Sequence, residues 1–272
     1  MKDVITSSRI GLISGKGKFP IILAQEAKRR GMKVVAIALK EETNAELENY
    51  VDKIYWISIG EMEKGLDVLV KEDLKEVFMV GKVEKSLLFK NISRDGMISN
   101  LIKSAADKLD NTLLKAISNK LAELDIELLD STIFIRPLIP QKGILTERKP
   151  TQEEVDDISF GQRIAKSIAA LYIGQTVIVK DKAILAVEAI EGTDQTIKRA
   201  GMYCKKGIVM VKVSWPDQDM RLDVPTIGPD TIKRLKEANA SVIAIEAQKT
   251  IILDIEESVN TANRAGLCML AF

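Results

Sequence analysis

Residues 9–39 read RIGLISGKGKFPIILAQEAKRRGMKVVAIAL. The short apolar run Arg9 to Ser14 leads through glycines into an amphipathic stretch, Pro20 to Arg30, that Gly31 stops. Met32 to Leu39 is then apolar almost throughout, as expected of a strand covered on both faces. Strand, helix and strand in so short a span form the repeating unit of a parallel sheet. Pro20 suits the first helical turn, where a missing N–H costs nothing. Further strands are predicted at Lys53 to Ile59 and Glu76 to Val80. A helical stretch follows over Gly96 to Leu124, where Ile98, Leu101, Ile102, Leu109, Leu113, Leu114, Ile117 and Leu121 recur at helical spacing. Residues 1–135 are therefore expected to form an N-terminal Rossmann-like parallel sheet layer with a helical tail.

Three prolines and a glycine between Arg136 and Pro150 mark residues 136–150 as a linker. Beyond it, 151–272 is expected to be a C-terminal mixed α/β catalytic domain. Its predicted helices are Thr151 to Ile173, with Thr151 as cap, Asp194 to Ala200, Asp230 to Ala238 and Ile255 to Ala265. Its predicted strands are Thr176 to Lys180, Ile184 to Glu188, Ile208 to Val213, Val242 to Ile245 and Ile251 to Leu253. Asp181 and Lys182 supply a tight connection between the first two. The fold class is thus α/β in two domains, a size that 272 residues readily fill.

Composition narrows the chemistry. Hydrophobic residues make up 46% and charged residues 29%, which supports a packed core and gives no case for disorder. Forty Lys and Arg against thirty-nine Asp and Glu, with 4% aromatics, argue against a nucleic-acid binder. The chain has no histidine, so a Ser-His-Asp triad, a Cys-His pair and a His-liganded zinc are all excluded. Catalysis must rest on carboxylates, lysine, hydroxyls, backbone amides or an oxygen-bound metal. Cys204 and Cys268 form no CxxC and read as reduced thiols. MKDVITSSRIGLISG lacks an apolar signal region, and no apolar run approaches the ~20 residues of a membrane span. A cytoplasmic protein is expected, with room for a surface-binding face.

Four segments could carry chemistry. In GLISGKGKFP (residues 11–20), Gly15 and Gly17 would let backbone amides approach an anion at a helix start. The third glycine of a dinucleotide fingerprint is missing, and so is the GKS or GKT of a P-loop, while Glu41 after the second strand could hold a ribose or simply face solvent. In VEAIEGTDQTIKRAG (187–201), Glu188, Glu191 and Asp194 straddle a strand end, a glycine and a helix start. Hard cations such as Mg²⁺ select that oxygen chemistry. Thr193 there would cap the helix, and Lys198 and Arg199 would serve as phosphate partners or a solvated face. In SWPDQDMRLDVPTIGPDTI (214–232), Asp217, Asp219, Arg221 and Asp223 alternate, so in an extended segment they share one side. Arg221 would clamp a phosphate, and Asp223 would hold a metal or activate water. In VGKVEK (80–85), which follows a buried strand at the edge where open α/β sheets bind ligands, Lys82 and Lys85 could meet phosphates or simply snorkel to solvent.

These strings, with GILTERKPTQEEVDDISFG (143–161), the distinctive AVEAIEGTD (186–194) and the closing IEAQKTIILD (245–254), resemble the LpxI family of UDP-2,3-diacylglucosamine pyrophosphatases along essentially the whole chain. The resemblance implies an enzyme of lipid A biosynthesis, cytosolic and peripheral to the inner membrane of Gram-negative bacteria. Mg²⁺ and water would split UDP-2,3-diacylglucosamine by attack on the α-phosphate, giving UMP and 2,3-diacylglucosamine 1-phosphate (lipid X). It further implies a homodimer whose two domains enclose the lipid in an interdomain cleft. By position, the essential aspartate is Asp223, ahead of Asp219. The roles that follow are catalysis by Asp223 and Arg221, substrate binding by Gly15, Gly17, Lys82, Thr193 and Lys198, and metal binding by Glu188, Glu191, Asp194 and Asp223. Leu222, Trp215, Tyr172 and Gln248 depart from the family's usual phenylalanine, lysine, aspartate and glycine. Two other readings compete. One is a nucleotide-dependent oxidoreductase, suggested by the glycine-rich first turn and Glu41. The other is a non-catalytic nucleotide or phospholipid sensor using the same cleft.

Overall fold

The computed structural model describes residues 5–83, 96, 99–100 and 109–272. The expected α/β fold is present as two compact units, one comprising Met1–Ile135 with Asp219–Asp223, the other Arg136–Gln218 with Val224–Phe272.

In the first unit, β1 (Arg9–Ser14), β2 (Lys33–Leu39), β3 (Lys53–Ile57), β4 (Glu76–Val80) and β5 (Glu127–Leu128) form a five-stranded sheet in the order β3-β2-β1-β4-β5. All its pairings are parallel. The chain runs outward from β1 to β2 and β3, then returns to β4 on the other side of β1. The order therefore reverses between β1 and β4, and the carboxyl end of that switch point is where such sheets bind ligands. Helix α1 (Phe19–Arg29) begins one residue before Pro20, and α2 (Met62–Lys71) buries Leu66 and Leu69. Helix α3 (Leu109–Glu123) buries Ile117 and Leu121. The earlier part of the helical stretch expected from Gly96, and Lys85, fall outside the described residues save isolated positions.

The second unit holds a six-stranded mixed sheet in the order β6-β13-β11-β9-β7-β8. Its strands are β6 (Gly143–Ile144), β7 (Thr176–Lys180), β8 (Ala183–Val187), β9 (Ile208–Lys212), β11 (Ala240–Ile245) and β13 (Cys268–Ala271). Strands β9, β11 and β13 run parallel, whereas β7 is antiparallel to both β9 and β8. A separate parallel pair joins β10 (Thr226–Ile227) to β12 (Ile251–Ile252). Helix α4 (Gln152–Ala170) covers one face, where Ile158, Ala165 and Ala169 meet Val177, Val211 and Val242. Helices α5 (Thr193–Tyr203), α6 (Pro229–Glu237) and α7 (Ile255–Arg264) lie on the other, with Ile197, Ile232 and Ala262 against Ile178, Met210 and Ile243. This division follows from the pleat, which sends alternate residues of β7, β9 and β11 to opposite layers.

Two local expectations are met. Thr151 caps α4 in a full capping box, its hydroxyl accepting from the Glu154 amide at 3.3 Å while its own amide donates to Glu154 at 2.8 Å. Asp181 and Lys182 both have positive φ (50° and 59°), as a tight two-residue hairpin requires. Buried Asp157 fixes that turn by accepting both amides, at 2.9 and 2.6 Å.

Candidate functional site

The loops after β1 and β4 meet through glycines. A Cβ on Gly15 would lie 2.7 Å from the Lys82 carbonyl, and one on Gly81 would lie 2.7 Å from the Gly15 carbonyl carbon. The two backbones can therefore approach this closely only with no side chain on either residue. The Gly15 amide donates to the Val80 carbonyl at 2.8 Å, and Lys16 and Lys82 exchange amide-to-carbonyl bonds at 2.7 and 3.0 Å. The expected anion cradle is corrected here: the Gly15 amide is engaged by the neighbouring loop, so Gly15 serves the junction. Gly17 differs, being exposed at φ 105° with open space where a side chain would stand, directly before α1. Lys82 is exposed on the same junction. Glu41 is engaged, accepting from the Ser58 hydroxyl and, at 3.1 Å, from the Ile59 amide at the end of β3.

The segment Asp219–Asp223 belongs to the first unit although the chain enters and leaves it from the second. Ser131, just past β5, donates its amide and hydroxyl to the Met220 carbonyl at 3.3 and 3.0 Å. Leu222 is buried in the same core as Leu74, Val77, Leu121 and Leu128. The segment is a turn and not the extended run expected from its alternation. Asp219 accepts from the Arg221 amide at 3.0 Å, and its carbonyl accepts from the Leu222 amide at 2.9 Å. The Asp219 carboxylate also takes Arg221 Nε at 2.9 Å and Nη2 at 2.6 Å. Burial pushes the Asp219 carboxyl upward, but the Arg221 guanidinium and amide outweigh it and hold it below the usual range. Asp223 follows, exposed and at φ 42°, a left-handed conformation that aspartate tolerates better than most residues. It stands between buried Leu222 and Val224.

In the second unit, the carboxyl ends of β8, β9 and β11 share one edge of the sheet. Glu188, directly after β8, accepts from the Thr193 hydroxyl at 2.7 Å. Thr193 is the first residue of α5, whose cap is Gly192 with no side-chain cap bond. The expected cap is corrected: the Thr193 hydroxyl is drawn to Glu188 and Lys212 instead of the helix amides. Glu191 pairs with Arg199 at 2.6 Å, and Arg199 also holds the Val187 carbonyl at 2.7 Å. Asp194 and Lys198 are exposed on the first turns of α5. Among the described residues no three acidic, cysteine or histidine side chains gather as a metal site.

Sequence reasoning missed other groups at this edge. Lys212, the last residue of β9, is buried at 4% exposure and donates to Thr193 and Thr176. Glu246, after β11, accepts from the Ser214 amide and hydroxyl at 2.8 Å each and pairs with Lys166. Burial works against its charge, yet Lys166 and Ser214 lower its pKa to about 2. Tyr172 stacks on Trp215 with ring centroids 5.5 Å apart and donates to Asp217 at 2.6 Å. A cation at the end of an apolar strand was the available signal for Lys212, since the pattern of β9 calls for another apolar residue there.

Comparison with known families gives a match over both units. The N-terminal LpxI domain matches residues 9–138 and the C-terminal LpxI domain matches 141–270. The chain belongs to the LpxI family. The UDP-2,3-diacylglucosamine pyrophosphatase LpxI of Caulobacter vibrioides is 29% identical over 273 aligned residues, covering 96% of each chain. Among solved structures, the urea carboxylase of Kluyveromyces lactis aligns at 12% identity over 43% of this LpxI chain and 9% of its own, with a TM-score of 0.29. A glycinamide-RNase-transformylase T from Mycobacterium tuberculosis aligns at 10% identity over 66% and 44%, with a TM-score of 0.26. The chain thus spans less than half of either solved structure.

Proposed function

We propose that this LpxI-family protein hydrolyses the pyrophosphate of UDP-2,3-diacylglucosamine, releasing UMP and lipid X, as a step of lipid A biosynthesis. The observation that carries the reading is family membership across both units, together with similarity over 96% of both chains to the Caulobacter UDP-2,3-diacylglucosamine pyrophosphatase. The absence of histidine is compatible with this chemistry, because phosphoryl transfer asks mainly for positioned charge.

Asp223 is the catalytic carboxylate of the proposal. Its exposed, left-handed position on a turn anchored by Leu222 lets it face substrate without strain on the core. It orients the attacking water and accepts its proton as the new bond to the α-phosphorus forms and the bond to the bridging oxygen breaks. Arg221 neutralises phosphate charge; the ion pair with Asp219 uses Nε and Nη2, which leaves Nη1 outside that pair as the nitrogen assigned to the phosphate. Lys82 and the Gly17 backbone at the β1–β4 switch point receive phosphate oxygens. At the edge of the second sheet, Thr193 and Lys198 are the residues assigned to meet substrate phosphate oxygens.

Magnesium is the proposed cofactor. Mg²⁺ keeps several waters and needs only one or two protein carboxylates beside substrate phosphates. Asp223, exposed on its turn, is the carboxylate assigned to hold it. When bound, the ion supplies charge neutralisation at the pyrophosphate. Among the described residues no helix is long and apolar enough to cross a membrane. On the family resemblance we also propose peripheral contact with the inner membrane from the cytoplasm, where the acylated substrate resides, and a homodimeric assembly.

Hydrolysis in H₂¹⁸O tests the point of attack. The label is expected in UMP; label in lipid X would overturn attack at the α-phosphate, and release of neither product would overturn the hydrolase reading.

A further inference from the structure

Lys212 is the most deeply buried cation among the described residues. Its side chain is 5% exposed, and its ammonium lies 3.1 Å from the Thr193 hydroxyl, 3.3 Å from the Thr176 hydroxyl and 3.8 Å from Glu188 Oε2. Burying a charge is costly, and apolar residues of similar volume often replace buried ion pairs with no loss of stability. Every other residue of β9 is apolar, so a methionine or leucine would pack at the strand's end. The charge therefore asks for a reason beyond packing.

The geometry gives one. Thr193 Oγ1 stands between the two charges, donating to Glu188 at 2.7 Å and accepting from Lys212. This arrangement sets the direction of the hydroxyl proton and ties the strand end at Glu188 to the start of α5. A flexible linkage would otherwise be expected there, because Gly192, at φ 79°, breaks the path between them. Lys212 is too enclosed to touch a substrate in solvent, so it acts through its neighbours.

We propose that Lys212 is a positioning residue that fixes Glu188 and Thr193 relative to each other, and so sets the phosphate-binding geometry at the edge of the second sheet. The inference rests on the reading that Thr193 and Lys198 meet substrate phosphates.

The test is a cycle of Lys212→Met, Glu188→Gln and the double variant, with three readouts: melting temperature, affinity for UDP by calorimetry, and kcat and KM for UMP release. Each single variant is expected to weaken UDP binding or turnover by about tenfold or more, the scale on which outer-shell partners act. The double variant is expected to lose no more than either single, since the two groups act as one unit. Lys212→Met with a lowered melting temperature but wild-type affinity and turnover would overturn the proposal, as would losses that multiply in the double variant. The UDP measurement separates this outcome from the other: a wild-type protein that binds UDP without releasing UMP refutes the hydrolase reading, while the affinity cycle still decides the role of Lys212.

Discussion

Asp219 grips Arg221 from two positions away through the guanidinium Nε and Nη2 and through the backbone amide, closing a turn that delivers Asp223 to the surface in a left-handed conformation. The two acids of this turn therefore have different tasks. Asp219 braces the Arg221 guanidinium, and Asp223 lies exposed beyond it.

Removing the grip should disorder the clamp without unfolding the protein. Asp219→Ala is expected to lower kcat/KM for UMP release by about 100-fold, the cost of a small misplacement of a reacting group. Asp219→Asn, which keeps the amide contact and one guanidinium contact, should fall between that variant and wild type. Steady-state kinetics with circular dichroism as a folding control checks this ranking.

Gly15→Ala should destabilise the first unit, because the new methyl meets the Lys82 carbonyl and the Gly81 backbone, neither of which is a flexible side-chain end. A loss of about 1–3 kcal/mol is expected from the overpacking. Gly17→Ala meets no atom but must adopt a positive φ, so its expected cost is smaller, about 1 kcal/mol. Urea titrations of the two variants measure the difference.

Acid should weaken the molecule at two carboxylates, Glu72 at the end of α2 in the first unit and Glu246 after β11 in the second. Lys53 and Tyr55, with Arg9, lower the pKa of Glu72 to about 2, and Lys166 and Ser214 do the same for Glu246 against its burial. Both are depressed from 4.5, so their stabilisation is complete above about pH 4.5 and fades as pH falls toward 2. Glu72→Gln and Glu246→Gln should each be less stable than wild type at pH 7, with the deficit shrinking below pH 4.5. Thermal melts across that range test the sign.

Much of this architecture is legible in the sequence wherever burial is continuous. β1, β4 and β7 fall at the boundaries their apolar runs predict, and the Thr151 capping box is visible in TQEE. Strand β13 is not, because CMLA at the end of the chain is too short to show a period, yet it pairs with β11 inside the second sheet. Nor does the sequence show that Asp219–Asp223 packs with residues about ninety positions earlier, since Leu222 looks like any apolar residue until Leu128 and Ser131 are placed beside it. The junction of Gly15 with Gly81 was hidden for the same reason: two loops distant along the chain meet through backbone, and a glycine alone does not say whether its amide faces a ligand or a neighbour. Lys212 was overlooked because a lysine ending a strand ordinarily marks the approach to solvent.

The most direct test of the central claim is UMP release from UDP-2,3-diacylglucosamine with Mg²⁺ and with EDTA, comparing wild type with Asp223→Asn, a change that keeps a residue tolerant of the left-handed turn. The account predicts metal-dependent release by the wild type and a fall of about 100-fold or more in the variant, the range for loss of a general base, with folding intact. Release that persists in the variant, or that is equal with and without the metal, would contradict it.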